Sequence, residues 1–416
     1  MIEAARTRRI RVLHVSRNYP SPALPRLGLW TERLVRSAQG ACEATVIAPV
    51  PYWPPVPGPA DFTRYRAVPA TTERYGIEVH HPRFLAGPGS WLSDFEGFTL
   101  HAAVRRVADA LHAARPFDLV HGHFVYPDGA AAARIAKRWG VPLIVTEHAS
   151  WDPWLDNAPR IRRRAMEVAA QSRFVHAVSP ALARTISAYA DLGDRLRVIP
   201  NIVDDEVFRL PESPPQVIPN RLLFVGLIRQ VKGLDVLIDA VRLLVDRGVD
   251  VSLDIVGESV YRSYQKDLAA VRHQVDALGL ASRVAFLGPK DPPDVARELA
   301  TSAVLVVPSR RETFAAVLAE ALACGRPVVA TRCGGPEDIV VPQVGELVDV
   351  GSPAALADGI ATVLGRPGAY IPAALRAYAV ERFGMAAVGS RLEDLYREAV
   401  SRRGATVDPG GDVSAP

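Results

Sequence analysis

Strand and helix signals alternate from one end of this chain to the other, which predicts an α/β protein of parallel sheets covered by helices. Two further observations predict two Rossmann-like, doubly wound domains. The 416 residues exceed what one ordinary core accommodates. The pattern also breaks once, at the proline-rich, aperiodic stretch Pro211 to Pro219, before restarting at Arg221.

The first half reads as strands at Ile10 to Val15, Ala44 to Ala48, Leu119 to His121, Pro142 to Thr146, Phe174 to Val178 and Arg197 to Ile199, with helices between most of them. The second half repeats strand and helix pairs through Val348 and closes with helices near Pro353 to Leu364, Ala373 to Arg382 and Met385 to Arg402. The expected domains are therefore 1–212 and 213–384, followed by a last helix over 385–403 and a polar, glycine-rich tail over 404–416 that reads as disordered. The run Pro49 to Pro59 is expected to form an extended loop that leaves Tyr52 and Trp53 free to touch a ligand. No repeat of solenoid period is visible.

Composition excludes several classes. At 23% charged and 49% hydrophobic the chain is neither disordered nor fibrous. The net charge of +4 is modest and the arginines are spread through helices, which argues against nucleic acid as a partner. No run approaches 18 uninterrupted apolar residues, and Met1 to Tyr19 lacks the apolar core of a signal peptide. Cys42, Cys324 and Cys333 are widely spaced without a metal-ligand pattern, as expected in a reducing cytoplasm.

The chemistry-bearing residues cluster in the second half. Glu312 and Glu320 lie between the apolar strand Val304 to Val307 and Gly325. With Thr313 as N-cap and Phe314 to Cys324 as helix, the two carboxylates stand about 12 Å apart along the axis at about 1.5 Å per residue. The free N–H groups of the helix start between them suit an anion such as a diphosphate. Carboxylates on either side suit the hydroxyls of a sugar (Glu312) and a ribose (Glu320). A plainer reading is a dipole-favoured Glu followed by a solvated one. After the strand Leu222 to Val225 comes Gly226-Leu227-Ile228-Arg229-Gln230-Val231-Lys232-Gly233 and then an amphipathic helix, a turn in which Arg229 and Lys232 could offset two phosphate charges. Lysine is scarce, with Lys137, Lys232, Lys266 and Lys290 the four among 49 basic residues, which sets Lys232 apart from background. A third turn, Thr331-Arg332-Cys333-Gly334-Gly335-Pro336-Glu337, offers backbone N–H groups at the end of the strand Pro327 to Ala330.

Taken together these residues resemble the retaining glycosyltransferases of group 1, also called family 4, and the resemblance covers most of the chain. Its strongest stretch is Pro308 to Gly335. Gly226 to Gly233, Phe286-Leu287-Gly288 and Val198 to Asp204 match as well. The resemblance implies the GT-B fold, two Rossmann-like domains facing a central cleft, with the acceptor on the first domain and the nucleotide-sugar on the second. It implies that the last helix crosses back to the first domain. In that comparison Arg229 and Lys232 hold the donor diphosphate, Glu312 the transferred sugar and Glu320 the ribose, with Gly226, Thr313, Phe314 and Ala315 lining the donor site. His148, in Thr146-Glu147-His148-Ala149, would face the transferred sugar and stabilise positive charge at its anomeric carbon. Gly28, at the start of a helix, is the one glycine left of a pair in a loop that in the family approaches the reaction centre or acceptor, and by that resemblance it joins the donor-binding set. Ala315 departs from the family's usual glycine after Phe314, and its methyl would tighten the pocket.

The implied reaction moves a sugar from a nucleoside-diphosphate-sugar to a hydroxyl with retention, a hexosyltransferase-type step in the assembly of polysaccharide, glycolipid or small-molecule glycoside. The acceptor is a carbohydrate, a lipid-linked molecule or a small molecule. No cofactor is expected, and no metal: the chain has no Asp-x-Asp triplet, and Arg229, Lys232 and a helix end would take the cation's place. His121, His123 and His148 at strand ends could form a metal trio, but no fourth-ligand pattern accompanies them, and core histidines explain the first two as well. The run Arg160-Ile161-Arg162-Arg163-Arg164 reads either as a solvated basic face or as a peripheral contact with anionic lipid headgroups at the inner face of the membrane. Two rival classes would share the diphosphate cradle: a nucleotide-sugar epimerase and a non-catalytic nucleotide-sugar binder. A nicotinamide enzyme would need a Gly-x-Gly-x-x-Gly turn that Ser16 to Gly28 does not supply.

Overall fold

The computed structural model describes residues 8–52, 60–86, 93–151, 155–213, 215–258 and 265–401. Trp53 and the expected tail over 404–416 lie outside them. The chain divides into two compact units: residues up to Ala177, Ile186–Arg197 and from Gly389 on, against Val178–Thr185 with Val198–Val388. The changeover falls at Val198, ahead of the proline-rich stretch at 211–219. The reason is local packing. Ile199, Ile202, Val203 and Phe208 are buried, Val203 N–H donates to Phe383 O at 2.8 Å, and Arg376 donates to Phe208 O at 2.9 Å and Asp205 O at 3.1 Å.

The strands of the first unit are β1 (Ile10–Val15), β2 (Cys42–Ile47), β3 (Val50–Tyr52), β4 (Thr71–Arg74), β5 (Ile77–His80), β6 (Arg83–Leu85), β7 (Leu119–His123), β8 (Leu143–Glu147), β9 (Phe174–Ala177) and β10 (Leu196–Val198). Its helices are α1 (Leu29–Ser37), α2 (Ser93–Ala114), α3 (Ala130–Trp139), α4 (Pro159–Gln171) and α5 (Pro180–Ser187), the last shared with the second unit. Eight of the strands form one sheet in the order β10-β9-β8-β7-β1-β2-β5-β4, with β4 antiparallel to β5. The remaining two, β3 and β6, pair in parallel, with Tyr52 opposite Leu85.

In the second unit the strands are β11 (Arg221–Val225), β12 (Ser252–Val256), β13 (Val284–Gly288), β14 (Val304–Val307), β15 (Val328–Thr331) and β16 (Gly345–Val348), in the order β13-β12-β11-β14-β15-β16. Neighbouring strands in this order pair in parallel. Helices α6 (Leu234–Asp246), α7 (Gln265–Ala277), α8 (Pro292–Thr301), α9 (Ala316–Ala323), α10 (Pro353–Leu364) and α11 (Pro372–Phe383) follow, and α12 (Met385–Ser401) closes the chain. Its residues from Gly389 on belong to the first unit.

Strands buried on both faces read as continuous apolar runs. β14, Val304-Leu305-Val306-Val307, is such a strand, buried throughout. Each side chain of this kind contributes about 1.5–3 kcal/mol on burial. The order of strands reverses between β1 and β7 in one sheet and between β11 and β14 in the other. Loops leaving the carboxyl ends of these strands are where open parallel sheets place ligands.

One expected element is shifted. α9 begins at Ala316, and its N-cap is Ala315 in the left-handed region (φ 65°, ψ 61°), with no side-chain cap. Thr313 is therefore not the cap, and Glu312 lies in the loop. The expected stop at Gly325 is present at φ 72°.

Candidate active site

In the second unit, three loops meet at the sheet reversal. The turn after β11 contains one turn of 3-10 helix, Gln230–Lys232, and ends at Gly233, whose φ of 66° starts α6. A Cβ on Gly233 would lie 2.0 Å from Pro308 O, so only glycine allows this turn to touch the loop after β14. Gly226 is equally close-packed: its carbonyl oxygen would lie 1.8 Å from a Cβ on Gly257, in the loop after β12.

Lys232 and Glu312 meet in this cradle. Lys232 Nζ donates to Glu312 Oε1 at 2.6 Å, and Ser309 Oγ donates to the same oxygen at 2.8 Å. Thr331 Oγ1 in turn donates to Ser309 O. The glycine turn after β15 lies against this segment. Glu312 N–H donates to Cys333 O at 3.2 Å, Gly335 N–H donates to Glu312 O at 2.9 Å, and a Cβ on Gly335 would fall 2.5 Å from Phe314 Cα. Arg310, not singled out from sequence, staples the loops together. It grips Asp235 through two bonds of 2.8 and 2.6 Å and donates to Gln230 O at 2.6 Å, and its guanidinium holds the Asp235 carboxyl below its ordinary range against the opposing effect of burial.

Arg229 is half-buried in extended backbone before the 3-10 turn. Phe314 and Ala315 are buried, Thr313 is half-buried and its carbonyl accepts from Ser179 Oγ at 2.5 Å. Glu320 stands half-buried on α9, past its first turn. Cys333 sits among Thr331, Glu312 and Lys232, and burial pushes its thiol up to about 11, so it is a neutral thiol and not a nucleophile at neutral pH. Beside the β11 loop lies a cavity of about 480 Å³ lined by Ile228, Gly257, Glu258, Arg272, Phe286 and Gly288 among others. Arg272 lies over the Phe286 ring at 4.6 Å. Of this cavity the sequence had pointed to Phe286 and Gly288. Arg272 lies on an ordinary amphipathic helix and carried no signal.

In the first unit, His148 follows β8, its ring centroid 5.8 Å from His123, 5.1 Å from Phe124 and 6.4 Å from Trp30. Gly28 takes φ 77° and approaches Asn18 so closely that a Cβ would fall 1.9 Å from Asn18 O. The loop between β1 and α1 therefore requires glycine there on backbone grounds. Tyr52 is exposed at the end of β3.

His121 and His123 belong to a buried ladder that also includes His14 and His176. His14 Nδ1 and His123 Nε2 are 3.1 Å apart, and His121 bonds to Tyr396 OH and Thr146 Oγ1, each at 2.7 Å. Thr146 Oγ1 bonds on to His176 Nδ1 at 2.7 Å. Among the described residues His14, His121 and His123 bring ligand atoms within 4.8 Å of one another, so it is His14, not His148, that the fold groups with the two histidines of β7. Both nitrogens of His121 already have partners, and burial keeps these imidazoles neutral, with His14 lowered to about 3. Hydrogen bonding within the core accounts for His121, while His123 Nδ1 is buried with no hydrogen-bond partner among the described residues.

On α4, Arg162 lies 3.7 Å from Asp156 and Arg163 lies 3.7 Å from Glu167, while Arg164 donates to Tyr126 OH at 3.1 Å. Among the described residues no helix is long and apolar enough to cross a membrane.

Two α/β units, each with its ligand-side loops at a strand reversal, form the architecture of the GT-B fold. Residues 211–382 match the family described as glycosyl transferases group 1, and residues 28–207 match glycosyltransferase family 4. A D-inositol 3-phosphate glycosyltransferase of Xylanimonas cellulosilytica is 33% identical over 368 residues, 80% of this chain and 85% of the relative. Another, from Thermobispora bispora, is 29% identical over 84% of this chain and 88% of the relative. Among solved structures, sucrose-phosphate synthase from Thermosynechococcus elongatus superposes with a TM-score of 0.79 at 19% identity, covering 95% of this chain and 100% of that one. HepE of Anabaena, in complex with UDP and glucose, superposes with a TM-score of 0.71 at 21% identity over 93% and 99%. The chain belongs to the group-1, family 4 glycosyltransferases, and it is a transferase.

Proposed function

We propose that this enzyme is a retaining glycosyltransferase that takes a nucleoside-diphosphate-sugar as donor and transfers the sugar to a hydroxyl of a carbohydrate, lipid-linked or small-molecule acceptor. The observation that carries the reading is the Lys232–Glu312 pair at 2.6 Å, set in a turn that only Gly233 can close. Lys232, Arg229 and the start of α9 receive the diphosphate. Among the described residues both side-chain bonds to Glu312 fall on Oε1, which leaves Oε2 as the acceptor for sugar hydroxyls. Glu320 takes the ribose hydroxyls, and the cavity beside Phe286 takes the base. Structures similar to this chain hold UDP with glucose and UDP-glucose, which supports such a donor. The names of the D-inositol 3-phosphate relatives support a phosphorylated polyol among the acceptors worth trying.

As the bond from sugar to diphosphate lengthens, negative charge grows on the leaving phosphate, and donors already aimed at it stabilise that state more than the ground state. The acceptor hydroxyl attacks from the face the phosphate leaves, and the phosphate takes its proton; no side-chain base is assigned. Gly28 and His148 serve from the first unit, His148 offering its carbonyl or imidazole to positive charge on the anomeric carbon. No metal ion enters the reading. If the acceptor is lipid-linked, the basic face of α4 is the part that would meet anionic headgroups at the cytoplasmic membrane surface.

The test is a screen of UDP-, GDP- and ADP-sugars for release of nucleoside diphosphate, repeated with Lys232→Ala and Glu320→Ala. Both variants should keep their fold and lose donor affinity, with turnover for Lys232→Ala down about a hundred- to thousandfold. Donor affinity unchanged in both would overturn the site, and an inverted anomeric centre in the product would overturn the stereochemistry.

A further inference from the structure

Glu147 closes β8 at the carboxyl edge of the first unit's sheet, and only 2% of its surface is exposed. A buried carboxylate is unfavourable unless it is hydrogen-bonded. This one accepts four bonds. Oε1 receives the backbone N–H of His148 and of Ala149, each at 2.8 Å. Oε2 receives the Val125 backbone N–H at 3.1 Å and the Trp151 indole N–H at 2.9 Å.

The donors come from two different strand-end loops. His148, Ala149 and Trp151 follow β8, while Val125 follows β7 and succeeds Phe124, which holds φ 68° and ψ 131°. Such a conformation is strained for a residue with a side chain, and it persists only where the surroundings dictate it. The surroundings here are the Phe124 N–H bond to Thr146 O at 2.7 Å and, one residue on, the bond to Glu147. An apolar side chain would fill the same space without bringing a charge out of water. What it would lack is the ability to hold four N–H groups at once.

We infer that Glu147 is a positioning residue for sugar transfer: its carboxylate fixes the backbone of His148 and Ala149 against the loop after β7, and thereby sets where His148 stands. The inference rests on the reading in which His148 serves the reacting sugar. Glu147 itself touches no substrate. It works through the loop.

Glu147→Gln replaces one oxygen by an amide nitrogen that faces two N–H donors, so two of the four bonds are lost. Trp151→Phe is the milder variant, because it removes one donor and leaves the carboxylate with three backbone partners. Two readouts are needed. Amide hydrogen exchange on peptides covering Val125 and His148–Ala149 reads the clamp without any substrate. Donor affinity and kcat per folded molecule read its effect on transfer. In Glu147→Gln, exchange in those two peptides should rise about tenfold or more while β1 stays protected, and kcat should fall about a hundredfold with donor affinity unchanged. Trp151→Phe should show the same pattern at about tenfold or less in kcat, and it carries the test if Glu147→Gln does not fold. Unchanged exchange in the folded variants would overturn the clamp, and wild-type kcat per folded molecule would overturn the positioning role. A wild type that binds no nucleotide-sugar would instead sink the functional reading, and the exchange result would still stand.

Discussion

Ala315 carries the methyl group that the family's usual glycine would lack, and it does so at φ 65°, ψ 61°. An L-residue in the left-handed region crowds its Cβ against the following carbonyl, at about 1–2 kcal/mol. Glycine escapes that crowding but gives up more chain entropy on folding. Ala315→Gly should therefore raise the stability of the second unit by about 1 kcal/mol, or about 2–4 °C in Tm for a unit of this size. Thermal melting followed by circular dichroism checks this, and a lowered Tm would mean that the methyl packs well enough to outweigh the strain. The same geometry explains why Thr313 was a misleading cap. Threonine is a favoured N-cap residue by type, but the backbone turns into α9 two residues later, at a position where alanine announces nothing. Lys232 was legible because glycines bracket its turn, and Glu312 because it stands between the apolar run of β14 and a helix that stops at Gly325. Ser309 and Thr331, which orient the Glu312 carboxylate, were not, since a serine and a threonine at strand ends have many other reasons to be there.

Elements with a clear apolar pattern were readable to within a residue or two, as β1, β14 and α10 show. The β3 and β6 pair was not, because three-residue strands containing or flanking proline carry no periodicity. The histidine ladder needed the pairing register. His121 and His123 alternate within β7, but His14 joins them only because β1 pairs with β7 and sets His14 opposite His121. That register gives the sheet a pH dependence. Burial holds His14 at about 3 against an ordinary value near 6.5, so the folded unit stays unprotonated where the unfolded chain takes up a proton. The stabilisation is complete above about pH 6.5 and is lost progressively as the pH falls towards 3. At pH 5.5 the loss from His14 alone is about 1.4 kcal/mol. His121 and His123 are lowered by burial as well and act in the same direction. His14→Asn keeps an acceptor or donor near the place of Nδ1 and removes the titration. Between pH 7.5 and 5.5, denaturant melts should then show a loss of stability smaller by about 1.4 kcal/mol in the variant than in the wild type, and equal losses in both proteins would refute the assignment.

On the scale of the whole chain, the last helix completes a core that the first ten strands leave open. Leu392, Leu395, Tyr396 and Ala399 of α12 are buried in the first unit, and Tyr396 bonds to His121 at 2.7 Å. Gly389 lies so close to α1 that a Cβ would fall 2.2 Å from Ser37 O. Arg197 pairs with Glu398 at 3.2 Å, and Glu393 accepts from Ala41 N–H at 3.2 Å. Loss of one large buried side chain costs about 2–5 kcal/mol, while a domain holds about 5–15 kcal/mol in all. A chain ending at Val388 loses three such side chains together, which is enough to unfold the first unit. The second unit keeps its own six-stranded sheet and all the residues of the donor cradle, Gly226 to Gly233 and Ser309 to Glu320. The truncated protein should therefore lose one calorimetric transition and all transfer activity, yet still bind the nucleoside-diphosphate-sugar with about wild-type affinity. If donor binding disappears along with the first unit, the cradle is not self-sufficient, and the assignment of donor recognition to the second unit's loops alone is wrong.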